Sequence, residues 1–346
     1  MTETPWYQHF STDDGLVISS RVRLARNLKK YPFRTKLTTD MAKQVLEDVT
    51  TAVLDNRDSA WVKRLNLTSP AAHDEKSRNM LLEKHVISRE FLKTKLPQGV
   101  LLQDDYNVSV MINEEDHLRI QTLSSGNDIQ ATWDVANRVD DAIEQNLEYA
   151  FDKNYGYLTT CPTNVGTGMR ASYMIHLPML ERTGQLKNLM TAISKFGIAI
   201  RGLYGEGSEP MGCIYQISNQ VTLGKSEHDI IQILQSVTKN IGDKESWLRA
   251  KMLERHRIDI ENNIYRSYGI LALSRKMAVK EAMDMLSEIR LGYAMEILDI
   301  PKPVKPLYQI MIEIQPGHIT NYIGASSATE LEMDIARAEY LRTMFT

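Results

Sequence analysis

Cys161-Pro-Thr-Asn-Val-Gly-Thr-Gly-Met-Arg170 places a lone thiol, a glycine turn and an arginine within ten residues, just ahead of the alternating run Tyr173-Met-Ile-His-Leu177. That run reads as a strand, as do Val108-Ser-Val-Met-Ile112 and Cys213-Ile-Tyr-Gln-Ile217. Helical segments lie among them. Residues 134–147 set Val135, Val139, Ala142, Ile143 and Leu147 on one helical stripe, and Ser226 with Asp229 resembles a capping signal before Ile230, Ile231 and Leu234. Strands that often follow one another predict an α+β domain built on a largely antiparallel sheet.

Beyond about residue 250 the strand pattern fades into Met-, Leu- and Arg-rich helical spacing through Met277, Met283, Leu286 and Ile289. Pro301, Pro303 and Pro306 interrupt it, and a last helix is expected over 328–344. The expected organisation is therefore a domain over 1–250 and an all-helical one over 251–346. The methionines suit core or dimer packing better than a promiscuous binding face.

A chain of 346 residues with 42% apolar content is long enough for a full core and two domains. Its net charge of −3 argues against a general nucleic-acid or membrane surface, so an anionic ligand would need a local cluster of positive charge. Residues 1–10 lack the regions of a signal peptide, only Cys161 and Cys213 are cysteines, and no apolar run is long enough to span a bilayer. These features predict a soluble protein in the reducing cytoplasm.

The usual phosphate loop, the G-x-G-x-x-G fingerprint and a full protein-kinase motif set are missing from the sequence. Arginines stand instead at the expected strand edges: Arg21 and Arg23 in Ser19-Ser-Arg-Val-Arg-Leu-Ala-Arg-Asn27, then Arg119, Arg170 and Arg201. One such arginine reads as a surface ion-pair former, but several converging guanidinium groups chelate phosphate oxygens without a glycine cradle. Two acidic segments accompany them, Asn113-Glu-Glu-Asp-His-Leu-Arg119 and Arg201-Gly-Leu-Tyr-Gly-Glu206. Separately they read as a solvated acidic turn and a Gly-rich turn.

Together these four segments, over roughly residues 15–250, resemble those of the guanidino (phosphagen) kinases. The resemblance implies a glutamine-synthetase-like catalytic domain, an antiparallel sheet flanked by helices. It implies ATP as phosphoryl donor, with Mg²⁺ delivered by the nucleotide. The implied nucleotide contacts are Ser19, Ser20, Arg21, Val22, Arg23, His85 of Glu83-Lys-His-Val-Ile-Ser88, Arg119, Arg170, Ala171, Ser172, Tyr173, Met174, Arg201, Gly202, Leu203, Tyr204, Gly205 and Glu206. An acceptor guanidinium is a poor nucleophile until it is oriented and relieved of charge or a proton. Glu115 and Glu206 match the family's pair of carboxylates for that role, Glu114 stands adjacent, and Cys161 matches its reactive thiol, which polarises the substrate. No separate protein metal site is implied.

Only 18 residues precede Ser19, whereas small-molecule phosphagen kinases carry a long helical segment there that closes over the free amino acid. The present arrangement resembles the bacterial protein-arginine kinases of the McsB type. This implies arginine side chains of proteins as acceptors, a homodimer, and as partners an McsA-type activator, a CtsR-type repressor and the ClpC–ClpP protease, in stress response and protein quality control. Such kinases carry a C-terminal phosphoarginine pocket. The matching segment here is Met333-Asp-Ile-Ala-Arg-Ala338, which retains Asp334 and Arg337 but has methionine at the first arginine position, costing at least one charge-assisted bond. A free-guanidino kinase and a catalytically silent adaptor are the alternatives; the first differs only in acceptor, and the second is expected to have lost catalytic charges that are present here.

Overall fold

The computed structural model describes residues 4–10, 15–55, 64–69, 74–202 and 210–346. Its strands are β1 (Val17–Arg26), β2 (Asn66–Thr68), β3 (Gly99–Leu102), β4 (Val108–Ile112), β5 (Leu118–Ser125), β6 (Phe151–Asp152), β7 (Gly156–Tyr157), β8 (Met169–His176), β9 (Ile198–Gly202) and β10 (Ile214–Asn219). Eight form one sheet in the order β2-β3-β4-β5-β1-β8-β10-β9, antiparallel throughout, and β6 and β7 make a separate hairpin. β4 coincides with the run read from sequence. β8 starts earlier, at Met169, and β10 starts one residue later because Cys213 turns the chain at φ 53°.

The helices are α1 (Thr39–Asp55), α2 (Glu75–Glu83), α3 (Arg89–Lys93), α4 (Ile129–Glu144), α5 (Pro178–Arg182), α6 (Leu186–Ser194), α7 (Glu227–Leu273), α8 (Val279–Ala294), α9 (Leu307–Glu313), α10 (Pro316–Ile323) and α11 (Glu330–Phe345). α4 buries Ile129, Ala136, Val139 and Ile143 along one stripe and lies against β1 and β5; Leu147 falls beyond its end. α7 opens on a capping box in which Ser226 Oγ accepts from the Asp229 amide at 3.1 Å and Asp229 returns the bond to the Ser226 amide at 3.2 Å.

One face of the sheet is apolar. Val22, Leu24, Ile120, Ala171, Tyr173, Ile175 and Ile217 are buried there, under α4 beside β1 and β5 and under α7 beside β8 and β10. Each of the buried Val, Leu and Ile side chains contributes about 1.5–3 kcal/mol, so this face anchors the sheet and leaves the opposite one free for polar groups.

α7 runs through residue 250, with a single non-helical residue at His256, and α8 and α11 pack on its later part. Met277, Met283 and Met311 are fully buried in a core that continues from the sheet into these helices. The proline segment separates α8 from α9, with Pro306 at the N-cap of α9. α10 packs on α2, and α9 on the short helical turn at Trp6, which itself contacts β5, so C-terminal helices pack on the N-terminal part of the chain.

Candidate functional site

Register brings the arginines together. Arg21 lies opposite Leu123 and Ser172, Arg23 opposite Gln121 and Arg170, and Ala25 opposite Arg119. Farther along, Met174 faces Gln216, and Gln216 faces Arg201. Direct partners in an antiparallel ladder share a face, as do residues two apart on a strand, so five guanidinium groups from four strands stand on the polar face of the sheet. Arg21 and Arg23 lie in the middle of the central strand, not at a strand edge as the sequence suggested.

This crowding opposes full charge. Burial, then Arg119 and Arg170, bring the Arg21 guanidinium down to about 10; burial, then Arg21, Arg119 and Arg170, push Arg23 well below its usual range. Arg170 is lowered by burial and then by Arg201 and Arg119. Arg23 Nε is buried with no hydrogen-bond partner among the described residues, as suits a donor held for an anionic ligand. Arg21 is oriented by Gln216 Oε1, which accepts from it at 2.6 Å.

The turn between β4 and β5 holds the carboxylates. Asn113, at φ 63°, fixes it by donating through Nδ2 to the carbonyls of Ala42 at 2.8 Å and Pro97 at 2.7 Å. Asp116 Oδ1 accepts from Asn27 Nδ2 and from the Thr160 amide, each at 2.6 Å, and so ties the turn to the residue before Cys161. The turn is therefore built in, not solvated: Glu114 is 1% exposed and Asp116 3%. Glu114 Oε1 accepts from Ser88 and Arg119 at 2.5 Å, and its Oε2 accepts from the Glu115 amide at 2.7 Å. Burial works to raise the Glu114 carboxyl, but Arg119 and these donors outweigh it and hold it below the usual range.

Glu115 differs. Among the described residues its carboxylate has no hydrogen-bond or ion-pair partner, and burial, then Glu114 and Asp116, raise it above the ordinary carboxylate range. Such a group is suited to meet an incoming cation. Glu114 instead supports Arg119 and the turn, and its engaged oxygens argue against a share in the acceptor chemistry.

The segment leading to Arg170 is clamped. Thr222 Oγ1 donates to the carbonyls of Thr163 at 2.9 Å or Val165 at 2.7 Å, and the Tyr157 amide donates to Gly166 at 2.8 Å. Gly168, at φ 63°, passes so close to β1 that a Cβ would lie 2.5 Å from an Arg26 nitrogen and 2.6 Å from the Ala25 carbonyl. Arg26 itself is buried, paired with Asp140 at 2.7 Å and stacked on Tyr157 with its guanidinium carbon 3.5 Å from the ring centre.

Two adjoining cavities result. The smaller, about 180 Å³, is lined by Glu115, Cys161, Asn164, Gly168 and other residues; the larger, about 330 Å³, is lined by Arg21, His85, Arg201, Gln216 and others. Arg23, Glu115, Arg119 and Arg170 border both. His85, at φ 58°, has its ring Nε2 3.1 Å from the Tyr308 hydroxyl, and burial, then Arg21 and Arg89, push it down to about 3, so it is neutral near pH 7. A bigger groove of about 610 Å³ by Lys29, Lys30 and Asp48 lies elsewhere; both lysines are paired there, with Glu148 and Asp48, so size is a poorer guide than the convergence of five arginines. No group of three potential metal ligands occurs among the described residues, and no helix among them is long and apolar enough to cross a membrane.

Some expected contacts are not brought to the cleft. Val22, Ala171 and Tyr173 alternate onto the apolar face, and their side chains are fully buried in the core. Ser20 turns its hydroxyl to the Gly126 carbonyl and the Asp128 amide, where it steadies the start of α4. Ser19 and Met174 share the arginine face but are buried outside both cavity linings, and Ser172 Oγ accepts from Arg21 at 3.4 Å, likewise outside the lining. Gly202 ends β9, buried; Leu203, Tyr204, Gly205 and Glu206 lie outside the described residues. In α11, Arg337 is buried and donates to the carbonyls of Ile314 and Met277 at 2.8 Å and to Asp334 at 2.7 Å, so these donors serve internal partners. Sequence reading passed over Ser88, Asp116 and Gln216. For Gln216 the signal was present: a polar residue at an alternating position of an apolar strand.

An anion-holding arginine face joined to a pocket with an unpaired carboxylate and a thiol defines a phosphotransferase whose acceptor is cationic. Comparison with known proteins agrees. Residues 44–248 match the model of the ATP:guanido phosphotransferase C-terminal catalytic domain, and residues 257–346 match that of the protein-arginine kinase McsB C-terminal domain. A protein-arginine kinase of Caldanaerobacter subterraneus is 42% identical over 96% of this chain and 97% of its own length, and one of Pelotomaculum thermopropionicum is 42% identical over 98% and 96%. Among solved structures, lombricine kinase shares the fold at a TM-score of 0.61 and 24% identity, over 72% of this chain and 70% of its own. The duplicated taurocyamine kinase of Schistosoma mansoni is similar at 0.58 and 29%, over 68% of this chain and 34% of its own. The chain belongs to the ATP:guanido phosphotransferase family, in its protein-arginine kinase branch.

Proposed function

We propose that this protein transfers the γ-phosphate of Mg-ATP to the guanidinium of arginine side chains in proteins. The observation that carries the reading is the juxtaposition of the five-arginine face with the pocket of Glu115 and Cys161. In this reading Arg21, Arg23, Arg119, Arg170 and Arg201 hold the triphosphate and stabilise the charge that develops during transfer, with His85 on the cleft wall. Mg²⁺ delivered with the nucleotide would add charge neutralisation.

Glu115 orients the acceptor guanidinium and withdraws positive charge as its nitrogen meets the phosphorus in line. Glu206 is its proposed second carboxylate, supported by the motif match alone. Cys161 polarises the same guanidinium; the reaction needs no covalent enzyme intermediate. The protein acceptor is supported by the similarity to named protein-arginine kinases along nearly the whole chain.

The two matched models support catalytic and helical units over 1–250 and 251–346, whereas the cytoplasmic role in stress response and quality control and the McsA-type, CtsR-type and ClpC–ClpP partners are proposed on the motif resemblance alone. A homodimer through the helical region is supported by the exposed Ile258, Leu273, Leu331 and Ile335; a monomeric mass at micromolar concentration would remove it. The deciding experiment is transfer of labelled phosphate from Mg-ATP to an unfolded arginine-containing protein and to free L-arginine. Acid-labile label on protein is expected; labelling confined to free arginine would overturn the proposed acceptor.

A further inference from the structure

The two halves of the cleft differ in what accompanies their arginines. At the acceptor end Arg119 meets Glu114, and Glu115 lies beside it. At the other end the acceptor for Arg21 is neutral: Gln216 Oε1 at 2.6 Å, with Ser172 Oγ more distant at 3.4 Å. Gln216 also lies in direct register with Arg201, is 5% exposed, and lines the larger cavity. The nearby Gln121 is engaged elsewhere, donating to the His85 carbonyl at 2.8 Å. Glu90, the other acid besides Glu115 among the described residues lining this cavity, is paired with Lys93 at 2.7 Å.

A carboxamide orients a guanidinium without cancelling its charge. A carboxylate at the same place would form an ion pair with Arg21 beside Arg201, lower the positive potential of the cleft and compete with phosphate oxygens. We infer that Gln216 is a positioning residue that sets nucleotide affinity by holding Arg21 through a neutral acceptor, at the expense of the stability of the empty protein.

The inference rests on the arginine face being the ATP site, and the test separates the two. ATP affinity is measured by calorimetry, apo melting by scanning calorimetry and transfer kinetics with a protein acceptor, for the wild type, Gln216→Glu and Gln216→Met. Gln216→Glu should weaken ATP binding about tenfold or more while raising the apo melting temperature, since one charge-assisted bond corresponds to roughly that factor. Gln216→Met removes the acceptor from Arg21 and should raise the KM for ATP more than it lowers kcat. A residue of merely structural importance would not move affinity and apo stability in opposite directions. Unchanged ATP affinity in either variant, or affinity and melting falling together in Gln216→Glu, overturns the inference while the site stands. A wild type that binds no ATP overturns both.

Discussion

Replacing Glu115 and Glu114 separately with glutamine should divide chemistry from support. Glu115 is unpaired among the described residues, and burial with Glu114 and Asp116 already disfavours its charge, so Glu115→Gln should leave the melting temperature within about 1 °C of wild type. Positioned acid–base groups contribute roughly 10²–10⁴-fold to rate, so kcat should fall at least about 100-fold. ATP affinity should stay within about twofold, because in the proposed reading the carboxylate serves the acceptor and not the phosphates.

Glu114→Gln strands Arg119, in a pair whose side chains are 1% and 20% exposed. Removing one member of a buried pair costs roughly 3–5 kcal/mol, which partial exposure of Arg119 lowers to about 2–3. With an unfolding entropy of roughly 2.1 cal/mol/K per residue over 346 residues, melting should drop by about 3–4 °C. Scanning calorimetry and labelled-phosphate transfer to an unfolded protein read the two effects. Near-normal kcat in Glu115→Gln, or a wild-type melt in Glu114→Gln, would refute the division of roles.

Arg170→Ala should weaken ATP binding about 10- to 100-fold without lowering apo stability, since burial, Arg201 and Arg119 already oppose its charge; unchanged affinity by calorimetry would remove it from the cradle. Gly168→Ala must move Arg26 or the Ala25 carbonyl and adopt an unfavourable φ, at roughly 1–3 kcal/mol, so both melting temperature and turnover should fall; wild-type values for both would contradict the close approach. Acid should destabilise the fold through its neutral histidines. Burial puts His85 at about 3 and, with a smaller opposing effect of the Pro32 carbonyl, His117 at about 4. Below about 6.5 the unfolded state takes up these protons first, so this stability is complete above that pH and lost as pH falls towards the folded values, on the order of 2 kcal/mol each by pH 4.5. Melting temperatures from pH 7 to 4.5 should decline, less steeply in His117→Asn; equal slopes would exclude His117 as a contributor.

Strand β4, the capping box of α7 and the last helix were legible because each rests on neighbours in sequence: alternation, a Ser226–Asp229 pair and a helical period. The site arginines were legible as residue types in recognisable segments. The same segments misled at Val22, Ala171 and Tyr173, since a contiguous motif on a strand necessarily sends alternate side chains to opposite faces. Glu114 and Glu115 are indistinguishable as letters, and only packing separates them. Ser88 and Arg119 close on one, and the other is left open to the cavity.

The sequence by itself determined the inventory: guanidinium groups for an anion, carboxylates and a thiol for a cation, and glycines where the chain must turn. These follow from the chemistry of single residues and short-range periodicity. Only the tertiary structure decided which groups meet. The pairing of β5, β1, β8, β10 and β9 gathers the arginines onto one face, and Gln216 enters the site because its strand lies between those of Arg170 and Arg201. Strand pairing joins residues far apart in the chain, and its register, which no local pattern encodes, sets both the face and the neighbour of every side chain.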